Sequence, residues 1–96
     1  MSGITAFGTT AQKGTISEQA DVIYSQIASI AAAENINLSN LIKVTIYITS
    51  FDDLESLRAT LFKHYGSALP ASSLVQVKRL FSPDLKIEVE ATLAVN

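Results

Sequence analysis

The sequence predicts an α+β domain, a two-layer sandwich in which two helices cover one face of a mixed sheet. Segments in which apolar and polar residues alternate are typical of strands with one buried face. Segments with apolar residues at helical spacing separate them, which gives the order β-α-β-α-β-β over residues 1–96. Right-handed crossovers then place both helices on the same side of one sheet. The length fits a single domain.

The first third of the chain predicts a short strand, a loop and a long helix. Residues 1–7 form an apolar run that ends at a glycine, and residues 8–14, GTTAQKG, have the composition of a loop. Thr15 and Glu18 have the spacing of a capping box, and Ser17 is a rival N-cap, so we expect the helix to begin at one of these two positions. Asn35 is placed to end it in the left-handed conformation. The apolar residues at helical spacing are Ala20, Ile23, Ile27, Ile30 and Ala31.

The middle of the chain predicts a strand followed by a second helix. Residues 41–49, LIKVTIYIT, alternate and are rich in β-branched side chains. One face of this strand would carry Ile42, Val44, Ile46 and Ile48, and the other Lys43, Thr45, Tyr47 and Thr49. Residues 50–53, SFDD, open the helix with two aspartates that suit the helix dipole, and Gly66 ends it. Its apolar stripe consists of Leu54, Leu57, Leu61 and Tyr65.

The last third predicts two more strands joined by a turn. Residues 73–80, SLVQVKRL, form a strand in which Leu74 is expected to point inward. Residues 81–85 contain Pro83 and Asp84 and read as a turn. In residues 86–95, KIEVEATLAV, the apolar side of the alternation is Ile87, Val89, Ala91, Leu93 and Val95.

One face of the predicted sheet is left without helices. It gathers polar and partly apolar side chains, namely Lys43, Thr45, Tyr47, Thr49, Glu88, Glu90 and Thr92. A small chain with such a face is suited to packing against copies of itself, and three chains can enclose a barrel-like interior. We therefore expect Glu88 and Glu90 to lie at or near a subunit boundary.

Composition excludes several classes of site and partner. The absence of cysteine rules out disulfides and thiolate metal sites, and one histidine argues against a metal centre built within a single chain. A net charge of −2 with scattered bases is the wrong balance for a dedicated nucleic-acid binder. No signal peptide is recognisable, and no apolar stretch approaches the roughly 20 residues that span a bilayer. A soluble, cytoplasmic protein without membrane contact is expected.

Three stretches in order, NLSNLIKVTIYITSFDDLESLRATLFKHYG, LPASSLVQVKRL and KIEVEA, resemble one protein family. Together with the serine-glycine pair at the start, they are similar to the Rid/YjgF family of reactive-intermediate (enamine/imine) deaminases. Matches run from Ser2 to Val95, and their order and spacing carry the resemblance more than any single motif.

The resemblance implies a chorismate-mutase-like (YjgF-like) fold and a homotrimer with ligand clefts between neighbouring subunits. In active members, water attacks the imine carbon of a 2-imino acid and releases ammonia and a 2-keto acid. No metal or organic cofactor takes part. An imine is already electrophilic, so positioning and one proton relay suffice for this hydrolysis.

The family's site residues carry over only in part. Glu88 matches the glutamate that orients the water, and Ser2 and Gly3 match the pair whose backbone contacts the cleft. Ser72 stands where the family has an arginine that grips the substrate carboxylate, and Arg58 where the second helix usually has an asparagine. The family's GPYSQ segment has no counterpart here.

Those departures predict weak or absent activity on 2-iminopropanoate and 2-iminobutanoate. A guanidinium binds a carboxylate bidentately, whereas serine donates one neutral hydrogen bond of roughly half the strength. Two alternatives stay open for each of these residues. Ser72 lines the cleft or is a plain turn residue, and Glu88 contacts water or is a solvated or interface carboxylate. Arg58 is a surface ion-pairing residue or supplies the lost charge from another direction.

Two functions from different classes follow from this pattern. The first is a trimer that binds small carbonyl- or carboxylate-bearing metabolites between subunits and hydrolyses an enamine or imine, with Glu88 as catalytic residue. The second is a binding or regulatory trimer of the same fold without chemistry. Ribonuclease or translation-inhibitor activity, described for some relatives, ranks third because the few bases are scattered on an acidic chain.

Overall fold

Two α-helices and three strands, with a short 3-10 helix at Leu38–Asn40, form the fold in a computed structural model, which describes residues 3–95. In chain order they are α1 (Ile16–Ala33), β1 (Leu41–Ile48), α2 (Leu54–Tyr65), β2 (Ala71–Gln76) and β3 (Ile87–Leu93). The sheet order is β2-β1-β3, with β1 parallel to β2 and antiparallel to β3. Buried side chains of both helices pack with those of the sheet in one core, so the predicted mixed sheet with two helices is confirmed.

Both ends of α1 follow from local sequence, as predicted. Thr15 Oγ1 accepts from the Glu18 backbone N–H and the Glu18 carboxylate accepts from the Thr15 N–H, which completes the capping box. At the other end Asn35 adopts a φ of 61°. The Ile36 N–H then bonds to the Ala31 carbonyl, the closing contact of a Schellman motif.

A buried glutamine ties α1 to the loops around it. Gln19 is fully buried, and its Nε2 donates to the carbonyls of Gln12 and Asp84 over 3.0 and 2.8 Å. Its Oε1 accepts from the Lys86 N–H over 2.8 Å. Since Lys86 directly precedes β3, this side chain fixes where the last strand enters the sheet.

The predicted face assignment of β1 is wrong at its first residues. The register with β3 shifts between Leu41 and Lys43, which marks a bulge at the start of the strand. As a result Leu41 is buried and Ile42 is 54% exposed. From Val44 onward the predicted alternation holds, with Ile46 and Ile48 in the core.

Several predicted boundaries also move. In place of a strand over residues 1–7, the described part of that segment contributes a single bridge from Ile4 to Val89, at the outer edge of β3. The third strand covers Ala71–Gln76 rather than residues 73–80, and α2 begins after an N-cap at Asp53. On α1, Ile30 is exposed, so the buried stripe ends at Ala31 without it. Within residues 3–95, neither helix is long and apolar enough to cross a bilayer.

Candidate functional site

Gly3 and Glu88 meet at the edge of the sheet. Ile4 and Val89 exchange two backbone hydrogen bonds, of 2.8 and 3.0 Å. This pairing brings Gly3 so close to Glu88 that a Cβ at position 3 would lie 2.5 Å from Glu88 Oε2. Glycine therefore leaves room for the carboxylate. The structure brings these two predicted site residues together, whereas Ser2 lies outside the described residues.

The open face of the sheet carries a hydroxyl and two carboxylates. Tyr47 is paired in register with Glu88, and its hydroxyl donates to Glu90 Oε1 over 2.7 Å. That hydrogen bond, together with the charge of both glutamates, raises the pKa of Tyr47. The Glu90 carboxylate is thus held by a tyrosine, while the Glu88 carboxylate has no hydrogen-bond partner among residues 3–95. Of the two, Glu88 is the carboxylate better placed to bind a water molecule.

A groove of about 240 Å³ lies between α2 and β2. One side is the apolar stripe of α2, and the other is formed by β2 with the loop before it. Ile46 of β1 lines it from the sheet. The walls are mainly apolar: Leu54, Leu57, Leu61, Phe62, Leu69, Pro70 and Leu74.

Arg58 and Ser72 line this groove together. Arg58 stands one turn after Leu54 on the same helix face, and Ser72 is paired in register with the buried Val44, on the helix side of the sheet. Within the described part of the chain, the Arg58 guanidinium has no carboxylate within 4.0 Å. An ion pair within residues 3–95 therefore does not account for Arg58.

The predicted site residues fall into two groups on opposite sides of the sheet. Glu88 and Gly3 lie on the open face beside β3, whereas Ser72 and Arg58 lie on the helix side beside β2. Because β1 separates β2 from β3, one chain cannot bring the two groups to a single ligand. Each chain thus carries two separate halves of the predicted site.

One residue of the groove lining belongs to a hydrogen-bonded pair of tyrosines. Tyr65 lines it and is bonded to the fully buried Tyr24 of α1, with the two hydroxyl oxygens 2.5 Å apart. Their rings meet edge to face with centroids 5.4 Å apart. Burial raises the pKa of both phenols, so both stay protonated.

A cluster of charges lies between the two helices. Asp21 accepts from Lys63 over 2.8 Å and lies 2.7 Å from His64 Nε2, while the His64 ring stacks on Tyr24. The bond from Lys63, followed by that from His64, lowers the pKa of Asp21. These contacts join the two helices. They explain the position of the His64 side chain by structural contacts alone. Elsewhere in residues 3–95, no three metal-ligating side chains gather.

Comparison with known proteins assigns the family. The family model described as endoribonuclease L-PSP matches residues 1–95. The chain belongs to this family, and the resemblance to Rid/YjgF proteins is thereby confirmed.

Relatives of this L-PSP family member come from bacteria, archaea and yeast. A RutC family protein of Pyrococcus horikoshii is 33% identical over 79 residues, which cover 82% of this chain and 62% of that protein. A protein of Salmonella typhimurium named 2-iminobutanoate/2-iminopropanoate deaminase is 30% identical, over 79% of this chain and 61% of its own length. The chain thus spans about three fifths of the length of these curated relatives. A crystal structure of a Pseudomonas aeruginosa protein of unknown function has a TM-score of 0.90 at 28% identity, covering 100% of this chain and 73% of that one.

Two features of the site in this L-PSP family member were missed by the sequence interpretation. The close approach of Gly3 to Glu88 depends on the Ile4–Val89 pairing, which joins residues far apart in the chain. The bond between Tyr24 and Tyr65 likewise joins two helices. A buried tyrosine on the apolar stripe of each helix is the one sequence signal for that pair, since buried hydroxyls need partners.

Proposed function

We propose that the protein is a Rid/YjgF-type homotrimer that binds small carbonyl- or carboxylate-bearing metabolites between subunits and hydrolyses an enamine or imine there. The observation that carries the proposal is the division of the site residues between opposite sides of the sheet. In a closed trimer the Gly3–Glu88 half of one chain would face the Arg58–Ser72 groove of the next. Each cleft would then be complete.

In the proposed reaction, water adds to the imine carbon. The Glu88 carboxylate accepts a hydrogen bond from this water and takes a proton as the carbon–oxygen bond forms. The carboxylate gives this proton to the nitrogen, which leaves a carbinolamine. The proton of its hydroxyl group then moves to the amine nitrogen, the carbon–oxygen double bond forms, the carbon–nitrogen bond breaks, and ammonia leaves. The close packing of Glu88 on Gly3 supports this role, because it restricts the positions that the carboxylate can occupy.

Arg58 and Ser72 would bind the other end of the ligand. The guanidinium supplies the positive charge and Ser72 adds a neutral hydrogen bond. Because this cation comes from a helix and not from position 72, a small 2-imino acid would be held differently from the family pattern. We therefore expect weak or absent activity on 2-iminopropanoate and 2-iminobutanoate.

The test couples the protein to an enzyme that releases imines. An amino-acid dehydratase with its substrate, or an amino-acid oxidase with a series of amino acids, generates 2-imino acids that also hydrolyse spontaneously. We expect the protein to accelerate keto-acid release for at least one imine, Glu88→Gln to abolish the acceleration, and Glu90→Gln to retain most of it. Acceleration that survives Glu88→Gln would refute the catalytic role of Glu88.

A binding or regulatory trimer is the alternative, and Ser72 is the observation that favours it. Replacing an arginine by serine removes the strongest carboxylate contact of the family pattern. If no imine is hydrolysed faster while 2-oxo acids still bind, this alternative holds. A solution mass of about ten kilodaltons, one chain, would refute both proposals, since both need a neighbouring subunit.

A further inference from the structure

We infer that the groove between α2 and β2 selects acids with an apolar, ring-sized side chain that ends in a hydrogen-bond acceptor, and that the Tyr65 hydroxyl donates to that acceptor. The inference rests on the proposed function, since it assigns the substrate class of the same cleft. Three properties of the groove lead to it: its walls, the charge at Arg58 and the unpaired proton of the tyrosine pair.

The walls of the groove favour an apolar body. Apart from Arg58, Ser72 and the Tyr65 hydroxyl, its lining side chains carry no polar atoms. Its volume of about 240 Å³ exceeds the roughly 150 Å³ of an apolar cavity that binds benzene. A side chain as small as a methyl or ethyl group would leave most of this apolar surface uncovered, so the groove suits a larger one.

One hydroxyl proton of the tyrosine pair has no acceptor among residues 3–95. Each hydroxyl carries one proton, but one hydrogen bond joins Tyr24 to Tyr65, and neither hydroxyl is bonded to any other of residues 3–95. One O–H therefore needs an acceptor. Tyr24 is fully enclosed, whereas Tyr65 is 9% exposed and lines the groove. The arrangement that satisfies both groups has Tyr24 donating to Tyr65 and Tyr65 donating to a ligand.

The positions on α2 set the length of the ligand. Arg58 and Tyr65 are seven residues apart, about 10 Å along the helix axis. A carboxylate near Arg58 and an acceptor near Tyr65 would thus lie at opposite ends of the same molecule, with the apolar body between them. A 2-imino acid with a hydroxyphenyl side chain has this order of groups, and its imine carbon next to the carboxylate would stand at the end of the groove away from Tyr65.

Three stable acids test the inference by calorimetry on the intact protein: propanoate, 3-phenylpropanoate and 3-(4-hydroxyphenyl)propanoate. We expect the phenyl ring to tighten binding at least tenfold over propanoate, because it buries an area comparable to a phenylalanine side chain. The terminal hydroxyl should tighten it about fivefold more, the typical net effect of one hydrogen bond. Equal binding of propanoate and 3-phenylpropanoate would overturn the assignment of the groove.

Two matched variants test the donor. Tyr65→Phe and Tyr24→Phe both remove the hydrogen bond between the tyrosines, but only the first removes a hydroxyl from a residue that lines the groove. We expect Tyr65→Phe to reduce the fivefold preference for the hydroxylated acid to less than twofold, and Tyr24→Phe to keep it. A preference that persists in Tyr65→Phe would overturn the role of Tyr65. If Tyr65→Phe does not fold, the unmodified protein still gives the test. Equal binding of 3-phenylpropanoate and 3-(4-hydroxyphenyl)propanoate by that protein would also overturn the role of Tyr65.

The binding series separates this inference from the proposed function. Acceleration of small imines without tighter binding of the aromatic acids would leave the proposed hydrolysis standing and overturn the substrate class. Tight, hydroxyl-dependent binding without acceleration of any imine, the imine of tyrosine included, would support the groove and overturn the hydrolysis.

Discussion

Replacing Arg58 by alanine tests whether its guanidinium holds the ligand carboxylate. Arg58 is exposed and has no ion pair with a residue in 3–95, so we expect the free energy of unfolding to change by less than about 0.5 kcal/mol. A hydrogen bond between charged groups contributes about 1.5–3 kcal/mol. Because solvent reaches Arg58, the lower end of that range applies, and binding of a 2-oxo acid should weaken about tenfold.

The assay is titration of 2-oxobutanoate, a stable analogue of the product, into each variant at two salt concentrations. Arg79→Ala is the matched control, since it removes the same charge from an exposed residue that does not line the groove. Arg58→Lys should retain part of the affinity, because it keeps the charge but not the bidentate geometry. Raising the salt should weaken binding in the unmodified protein and have less effect in Arg58→Ala. Equal affinity of Arg58→Ala and the unmodified protein would refute the reasoning.

Three further substitutions have outcomes that follow from single contacts. Gly3→Ala would force the Glu88 carboxylate away, since the new Cβ would lie 2.5 Å from Oε2. We therefore expect imine hydrolysis to fall. The melting temperature should change little, because the displaced group is the end of a flexible side chain. Gln19→Leu leaves the partly buried Lys86 N–H and two partly buried carbonyls without their partner, so urea unfolding should show a loss of about 2 kcal/mol or more. An unchanged midpoint would contradict this expectation. Asp21 has a lowered pKa in the folded chain, so its ion pairs stabilise the fold above the ordinary carboxyl pKa of about 4 and lose their effect as the pH falls through the lower folded value. Thermal unfolding should accordingly show that Asp21→Asn is slightly less stable than the unmodified protein at pH 7 and equally stable in strong acid. A difference in stability that grows as the pH falls would contradict a lowered pKa of Asp21.

The helices were predictable because their signals are local. Thr15 and Glu18 cap α1 through contacts three residues apart, and Asn35 ends it through its own backbone conformation. The bulge at Ile42 was not predictable, because it depends on the register of β1 against β3. Alternation along one strand gives no sign of such a shift.

The candidate site was predictable residue by residue but not as an arrangement. Family resemblance pointed to Glu88, Gly3, Ser72 and Arg58, and the sequence order alone could not say which of them meet. Strand pairing decides it: Ile4 joins Val89 and brings Gly3 to Glu88, while the crossover through α2 brings Arg58 beside Ser72. Such pairings join residues distant in the chain, so they depend on the whole fold.

Glu88 and Arg58, on opposite sides of the sheet, would serve different clefts of one trimer. Two defective proteins could then repair each other. If Glu88→Gln and Arg58→Ala chains were unfolded together and refolded as mixed trimers, some interfaces would unite the intact half of each parent. Hydrolysis that is abolished in pure Glu88→Gln and weakened in pure Arg58→Ala would then be faster in the mixture than the two pure preparations account for.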